Sequence, residues 1–350
     1  MSKIKTLVAG LGNMGKSHAL AYHDNDAFEI IAMVNRSHVE LPQELSNYQI
    51  HRNYHDALNT FRPDLVSVNT YSDSHAEFAI AAMEQGAHVF LEKPIATNVA
   101  DARRVVDAAI ANGRKLVIGY ILRHHPSWIR LIEEARNLGG PYVFRLNLNQ
   151  QSSGPTWETH KQLMKTTSPI VDCGVHYVDV MCQITDAKPV RVNGMGLRLS
   201  DEIDEDMYNY GQFQVTFDDG SVGWYEAGWG PMMSETAFFV KDIISPNGSV
   251  SIVMDPNAKS DDIDTHTKTS RILVHGAATG PDGAFVGDDK MLEMAGEPGH
   301  QELCDREQAF VAKAIAEDID LSRHMQDAVR SLAICMAADE SIRSGKSIEL

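Results

Sequence analysis

The sequence predicts an α/β domain followed by an α+β domain with a mostly antiparallel sheet. Three observations predict it. Short Val-, Ile- and Leu-rich runs alternate with helical patterns over residues 1–121. A glycine-rich turn, GLGNMG at 10–15, follows the first of these runs. Beyond that point the apolar runs alternate with polar residues, and Asp219-Gly220 and Asn247-Gly248, dipeptides suited to positive φ, join two pairs of them as hairpins.

The elements follow in order. TLVAG (6–10), FEIIAMVN (28–35), DLVSVNT (64–70), AHVFLEK (87–93) and KLVIGY (115–120) are continuous apolar runs, as strands buried on both faces should be. Between them, SHAEFAIAAMEQG predicts a helix with Ser74 as cap and Gly86 as stop. TNVADARRVVDAAIANG predicts one with Thr97 as cap and Gly113 as stop. Strands alternating with helices give βαβ units and a parallel sheet. Helices are expected within 126–138 and 174–184. YVFRLNLNQQ, PVRVNGMGLRL, YNYGQFQVTF, SVGWYEAGW, AFFVKDIIS and SVSIV then read as strands. The Asp-, Gly- and Thr-rich stretch 255–299 reads as loops around one strand, RILVH. Helices near 301–316 and 324–344 close the chain. The expected domains are 1–121 and 122–323, with the last helix packing back near the first domain.

Composition narrows the function classes. Asp and Glu number 48 against 31 Lys and Arg, a formal charge of −17, which repels nucleic-acid backbones. The four cysteines have no metal-site spacing and are too few for a disulfide scaffold in a chain of 350 residues. No run is apolar enough for a membrane span, and MSKIKTLVAG is too short and glycine-broken for a signal peptide. A soluble, cytoplasmic protein without nucleic-acid or membrane partners is expected. The acidic run DEIDED (201–206) reads as a solvated loop, and no metal site is expected.

Gly10-x-Gly12-x-x-Gly15 between a strand and a helix is the context in which such a loop binds a dinucleotide, and it makes the first domain a Rossmann domain. Gly10 permits the turn, Gly12 admits a pyrophosphate to the backbone, and Gly15 lets helix and strand pack. Asn13 and Met14 complete the loop at the helix N-terminus, whose dipole favours an anion. The tip of the second strand reads Asn35, Arg36, Ser37. It lacks the acid that would accept the ribose hydroxyls of NAD. A guanidinium and a hydroxyl there suit a 2′-phosphate, so NADP is favoured over NAD, with Asn35 bonding the NAD ribose as the alternative.

LEKPIA (91–96) and DCGVHYVD (172–179) complete a pattern that resembles the Gfo/Idh/MocA oxidoreductases, over nearly the whole chain. The resemblance implies reversible hydride transfer between a nicotinamide and a secondary hydroxyl or ketone of a sugar, cyclitol or sugar derivative. It implies Lys93, Asp172 and His176 as catalytic and substrate-binding residues. It also implies a homodimer or homotetramer built on the open sheet. Tightly held nicotinamide serving glycoside cleavage or sugar–sugar hydride exchange is an alternative, and a dinucleotide-binding sensor another.

The chemistry suits these residue types. An imidazole accepts the hydroxyl proton, and an ammonium stabilises the developing alkoxide. Asp172 and His176, four apart, share a face if their segment is helical, and Asp172 then orients the ring. Asp179 is a rival orienting partner, and a capping role for Asp172 is the plainer reading. Gly174 suggests a close approach by backbone or cofactor. Pro94 confines Lys93 to extended backbone. Glu92 is placed beside the cofactor without a catalytic role. Thr70, Ser72 and His75, after the third long strand, are placed at the cofactor, His75 towards the nicotinamide half. Tyr120, Arg123 and His124, where the domains join, are expected substrate contacts, as is Trp157, which can stack on a sugar. Trp224 and Trp229 read as packing of a sheet face or subunit interface.

Overall fold

The computed structural model describes residues 2–234, 239–254 and 269–350. In chain order the elements are β1 (Ile4–Ala9), α1 (Asn13–His23), β2 (Phe28–Val34), β3 (Ile50–His51), α2 (Tyr54–Phe61), β4 (Leu65–Val68), α3 (His75–Glu84), β5 (His88–Leu91), α4 (Val99–Asn112) and β6 (Leu116–Ile118). Then come α5 (Pro126–Leu138), β7 (Val143–Gln151), α6 (Gly154–Leu163), α7 (Pro169–Asp172) and α8 (Gly174–Ile184). The second sheet continues with β8 (Pro189–Leu197), β9 (Tyr210–Phe217), β10 (Val222–Gly230), β11 (Lys241–Ser245), β12 (Gly248–Met254), β13 (Thr269–Gly276) and β14 (Lys290–Glu293). The chain closes with α9 (His300–Ala316), α10 (Ser322–Ser344) and β15 (Ile348–Glu349).

The chain forms two compact units. Residues 1–121 with 298–332 make one, and residues 122–297 with 333–350 the other. The division differs from the sequence expectation: α9, assigned to the second domain, belongs to the first unit. Its Val311 and Ala314 enter the core formed by Val8, Leu11, Tyr22, Phe28 and Phe90.

The first unit holds a six-stranded sheet in the order β3-β2-β1-β4-β5-β6, with every pair parallel. The order reverses at β1, and the crevice outside the carboxyl ends of β1 and β4 is where such sheets bind ligands. Two-residue β3 was not expected, being too short to carry a hydrophobic pattern. The EKP turn therefore follows the fifth strand in chain order rather than the fourth. Asn98, not Thr97, caps α4, its side chain accepting from Asp101 N. Ser74 holds the N-cap position of α3 but makes no side-chain capping bond; its hydroxyl bonds Thr70 Oγ1 at 2.7 Å.

The second unit holds a nine-stranded sheet, β14-β13-β12-β11-β7-β10-β9-β8-β15. All its pairs are antiparallel save β7 with β10, which run parallel with Gln150 opposite Trp229. Both expected hairpins form, β9–β10 at Asp219-Gly220 and β11–β12 at Asn247-Gly248. Within 255–299 there are two described strands, β13 and β14, rather than one, while 255–268 lie outside the described residues. Ala237 and Phe238 of the AFFVKDIIS run also lie outside them. Helices α5, α7 and α8 pack on one sheet face. Met195 and Leu197 stay exposed on β8, and Trp224 is half-buried on β10. Among the described residues no helix is long and apolar enough to cross a membrane.

Candidate functional site

In the first unit the candidate groups stand at the carboxyl edge of the parallel sheet. Gly10 has φ +86°, and a Cβ there would lie 2.4 Å from Asn69 O. A Cβ on Gly15 would lie 2.0 Å from Gly10 O, so turn and helix close only with glycine at both positions. Gly12 differs: nothing lies within 4 Å of its Cβ position. It opens α1, whose N-terminus has no side-chain cap and no acid in its first turn. Open space, uncapped N–H groups and the positive end of the dipole fit a pyrophosphate.

The tip of β2 is braced. Asn35 Oδ1 accepts from Leu11 N at 3.0 Å, and Asn35 Nδ2 donates to Ser37 O at 2.9 Å. The side chain is thus a strut between glycine loop and strand tip, rather than a group held out to the ribose. Arg36 and Ser37 are exposed beyond it.

At the next tips, Thr70 and Ser72 are half-buried, and His75 is buried. The sequence places His75 at the nicotinamide half. In the structure both ring nitrogens face backbone carbonyls, Pro94 O at 2.7 Å and Thr70 O at 3.0 Å. The ring ties the β4 tip to the EKP turn. Burial holds its pKa below the usual histidine value, against the pull of those carbonyls.

The EKP turn rests on a buried polar chain. The Lys93–Pro94 peptide is cis. Glu92 Oε2 accepts from Lys93 N at 3.1 Å, and Glu92 Oε1 lies 2.7 Å from His18 Nε2. Gln308 Nε2 donates to His18 Nδ1 at 2.9 Å, and Tyr22 Oη donates to Gln308 Oε1 at 2.6 Å. Since His18 Nδ1 is the acceptor, Nε2 carries the proton and donates to Glu92. Burial pushes Glu92 up, but the His18 bond, with Lys93 and His75 near, outweighs it and keeps the carboxyl below its usual range. Burial and the charge of Glu92 push neighbouring Glu307 well above that range. The two buried carboxyls are thus shifted in opposite directions. Glu92 is a support beneath Lys93, and the sequence did not disclose its partners.

Tyr120 departs from expectation. It is 1% exposed in the interior of the first unit, its hydroxyl 2.8 Å from Ser331 Oγ. A packing role replaces the expected substrate contact.

In the second unit, Ser168 caps α7, Asp172 ends it, and His176 lies in the first turn of α8. Cys173 between them is itself helical (φ −88°, ψ −35°), so the expected four-residue helical spacing is kept. A Cβ on Gly174 would meet Cys335 Sγ and Tyr225 at 3.2 Å, so the close approach there is to protein. Asp179 is fully buried and held bidentately by Arg123, at 2.8 and 2.6 Å, and by Gln183 at 3.0 Å. Arg123, an expected substrate contact, thus serves as the buried acid's counter-ion. His124 follows it, half-buried.

The sequence reading missed His160. Its ring stacks on Trp229 with centroids 4.4 Å apart, and Nδ1 lies 2.9 Å from Ser152 Oγ. Burial pushes its pKa down to about 4, with Asp172 nearby pulling the other way. Trp229 Nε1 donates to Gln150 Oε1 at 2.7 Å, and Cys173 Sγ lies 3.5 Å from the same oxygen. The ends of β7 and β10, α6 and the α7–α8 join thus converge on one polar cluster beside Asp172. A lone histidine in a helical run gave no signal of it. Trp157 is 5% exposed, its N–H donating to Glu202 at 3.2 Å and Lys161 lying over its ring, so its faces are not open to a sugar.

Two family profiles match the chain. One, described as "Oxidoreductase family, NAD-binding Rossmann fold", spans residues 4–120, and one described as "GFO/IDH/MocA C-terminal domain" spans residues 129–239. The chain is similar to inositol 2-dehydrogenase of Salmonella typhimurium, 27% identical over 186 residues, covering 51% of this chain and 53% of that one. It is similar to D-glucoside 3-dehydrogenase of Escherichia coli, 28% identical over the same shares. The chain spans about half the length of these curated relatives in the matches. Among solved structures, an oxidoreductase domain protein from Kribbella flavida superposes with TM-score 0.80 at 21% identity, covering 100% of this chain and 99% of that one. Aldose-aldose oxidoreductase from Caulobacter crescentus gives 0.75 at 20% identity, covering 100% of both. These two likenesses show the fold. With both family profiles matched in order along its length, the chain belongs to the Gfo/Idh/MocA oxidoreductase family.

Proposed function

We propose that this chain is an NAD(P)-dependent oxidoreductase that moves hydride reversibly between a nicotinamide and a secondary hydroxyl or ketone of a sugar, cyclitol or sugar derivative, with NADP preferred. The observation that carries the reading lies on one sheet edge. An open, uncapped, acid-free cradle at Gly12 and a lysine turn anchored on a buried carboxylate occupy the carboxyl ends of strands in the same parallel sheet. The names of the curated relatives, an inositol 2-dehydrogenase and a D-glucoside 3-dehydrogenase, support the substrate class.

The bound nicotinamide supplies the hydride acceptor at its C4. The chain's own residues do the rest. Gly12 and the α1 N-terminus hold the pyrophosphate. The Lys93 ammonium fixes the reacting hydroxyl and stabilises the alkoxide as it forms. His176 takes the hydroxyl proton, and Asp172 orients it. Arg36 and Ser37 receive the 2′-phosphate.

The test is a panel of sugars, sugar acids and inositols assayed with NAD and NADP separately. Net NADPH formation with one substrate group is expected. Cofactor retained on purification with no net NADPH would favour glycoside cleavage or sugar–sugar exchange instead. Binding without turnover on every substrate would sink the enzymatic reading in favour of a sensor. The same reading makes the protein a homodimer or homotetramer through the sheet face carrying Met195, Leu197 and Trp224; a monomer by light scattering would sink that part.

A further inference from the structure

We infer that Arg52, at the end of the short edge strand β3, is a second specificity-determining residue that grips the 2′-phosphate of NADP together with Arg36. The inference rests on the NADP reading above and adds to it a residue that no motif contains.

Strand register brings Arg52 to the β2 tip, next to the residue that precedes Arg36. β2 and β3 run parallel, with Met33 opposite Ile50 and Val34 opposite His51. The ladder continues one step further, Asn35 N donating to His51 O at 3.0 Å. Arg52 therefore stands opposite Asn35, and Arg36 is the residue directly after Asn35, so the two arginines are diagonal neighbours past adjoining strand ends, roughly 6 Å apart in backbone from the strand spacing and the rise per residue. Arg52 is also tethered: its Nη1 donates to Asn35 O at 3.3 Å, the carbonyl that directly precedes Arg36. That bond uses one corner of the fork and leaves the rest of the guanidinium available to an anion.

The β2 tip is thus bracketed. From the β1 side, Leu11 N holds the Asn35 side chain. From the β3 side, Arg52 holds the Asn35 carbonyl. The Asn35 amide, engaged with Leu11 and Ser37, does not oppose the arginines with negative charge. Among the described residues neither Arg36 nor Arg52 is in an ion pair, although acids outnumber bases in the chain as a whole. Two neighbouring guanidinium groups without a carboxylate repel each other, and a dianionic phosphate between them relieves the repulsion. NAD, which carries a hydroxyl at that position, gains nothing comparable.

The test measures dissociation constants of NADP⁺ and NAD⁺, by titration calorimetry on the full chain, for the wild type, Arg36→Ala and Arg52→Ala. Adenosine 2′,5′-bisphosphate and AMP serve as fragments that isolate the phosphate. Arg52→Ala is expected to weaken NADP⁺ and the bisphosphate about tenfold, as loss of one charge-assisted contact should, with much smaller changes for NAD⁺ and AMP. NADP⁺ binding unchanged in Arg52→Ala but weakened in Arg36→Ala would overturn the inference and leave the NADP reading standing. Equal weakening of both cofactors by Arg52→Ala would also overturn it, reducing Arg52 to a strap on the β2 tip. A wild type that prefers NAD⁺, with Arg36→Ala unselective, would overturn the NADP reading and the inference with it.

Discussion

The two units place their chemistry in different ways. In the first, the candidate groups sit in the turns that follow strand ends, so the backbone of a parallel sheet positions them. In the second, Asp172 and His176 come from a helical join, and side chains from β7, β10 and α6 build the surroundings. The first site is a row and the second a convergence. A row tolerates change in any one side chain so long as the strand ends stay put. A convergence depends on every member, because each side chain is part of the wall for the others.

Five substitutions break or sharpen that contrast. The largest effect is expected at the reacting groups, which should behave alike despite their different settings. Lys93→Ala and His176→Ala should each lower kcat by about 10²–10⁴-fold, the usual worth of a positioned proton-transfer group, with NADP⁺ affinity kept. Wild-type turnover in either would remove that residue from the mechanism. Next, Arg123→Ala leaves Asp179 buried without its counter-ion and should cost about 3–5 kcal/mol in urea unfolding. A loss below 1 kcal/mol would mean that the second unit is less interlocked than its hydrogen bonds suggest.

His18→Ala acts within the row. It leaves ionised Glu92 buried without its side-chain donor, at about 1–3 kcal/mol of stability. If Glu92 steadies the Lys93 backbone, kcat should fall while the affinity for NADP⁺ is nearly kept. A loss of stability with unchanged kcat would show His18 to be packing alone.

The smallest effect is a pH dependence at His160. Its folded-state pKa, about 4, lies below the ordinary histidine value of 6.5. Between those values the unfolded chain binds the extra proton and the folded chain does not. This contribution to stability is thus fully present above pH 6.5 and is lost as pH falls towards 4. His160→Asn should flatten the decline in unfolding free energy over that window relative to wild type. Parallel curves for the two proteins would show that the histidine is not buried as neutral imidazole.

What the sequence disclosed follows the same contrast. Gly10, Gly12, Gly15, Lys93, Asp172 and His176 could be picked out as candidates because each lies in a short motif whose spacing carries its meaning. Arg52, proposed above, could not, since a two-residue strand leaves no periodic trace and only the β2–β3 register brings it to the tip that Arg36 follows. His18 and Glu92 are 74 residues apart in sequence, and His18 and Gln308 are 290 apart. No local pattern reports such pairings. Tyr120 and Trp157 misled for the opposite reason: their chemistry suits a sugar, but burial assigned them to packing. Arg123 and Asp179 were each noticed, but as contacts to other groups, because a side chain's partner is settled by packing.

Gln308 has a consequence for how the molecule comes into being. A chain leaving the ribosome presents β1 to β6 first, with His18 and Tyr22 made early and Gln308 on α9 made 290 residues after His18. Segments of a protein generally begin to fold as they emerge. Here the unit begun first cannot complete its buried polar chain until residues 122–297 of the second unit have been synthesised. The glycine cradle and the lysine turn are therefore translated early, while the support beneath them arrives late, and competence to bind and react should appear only after Gln308 has emerged.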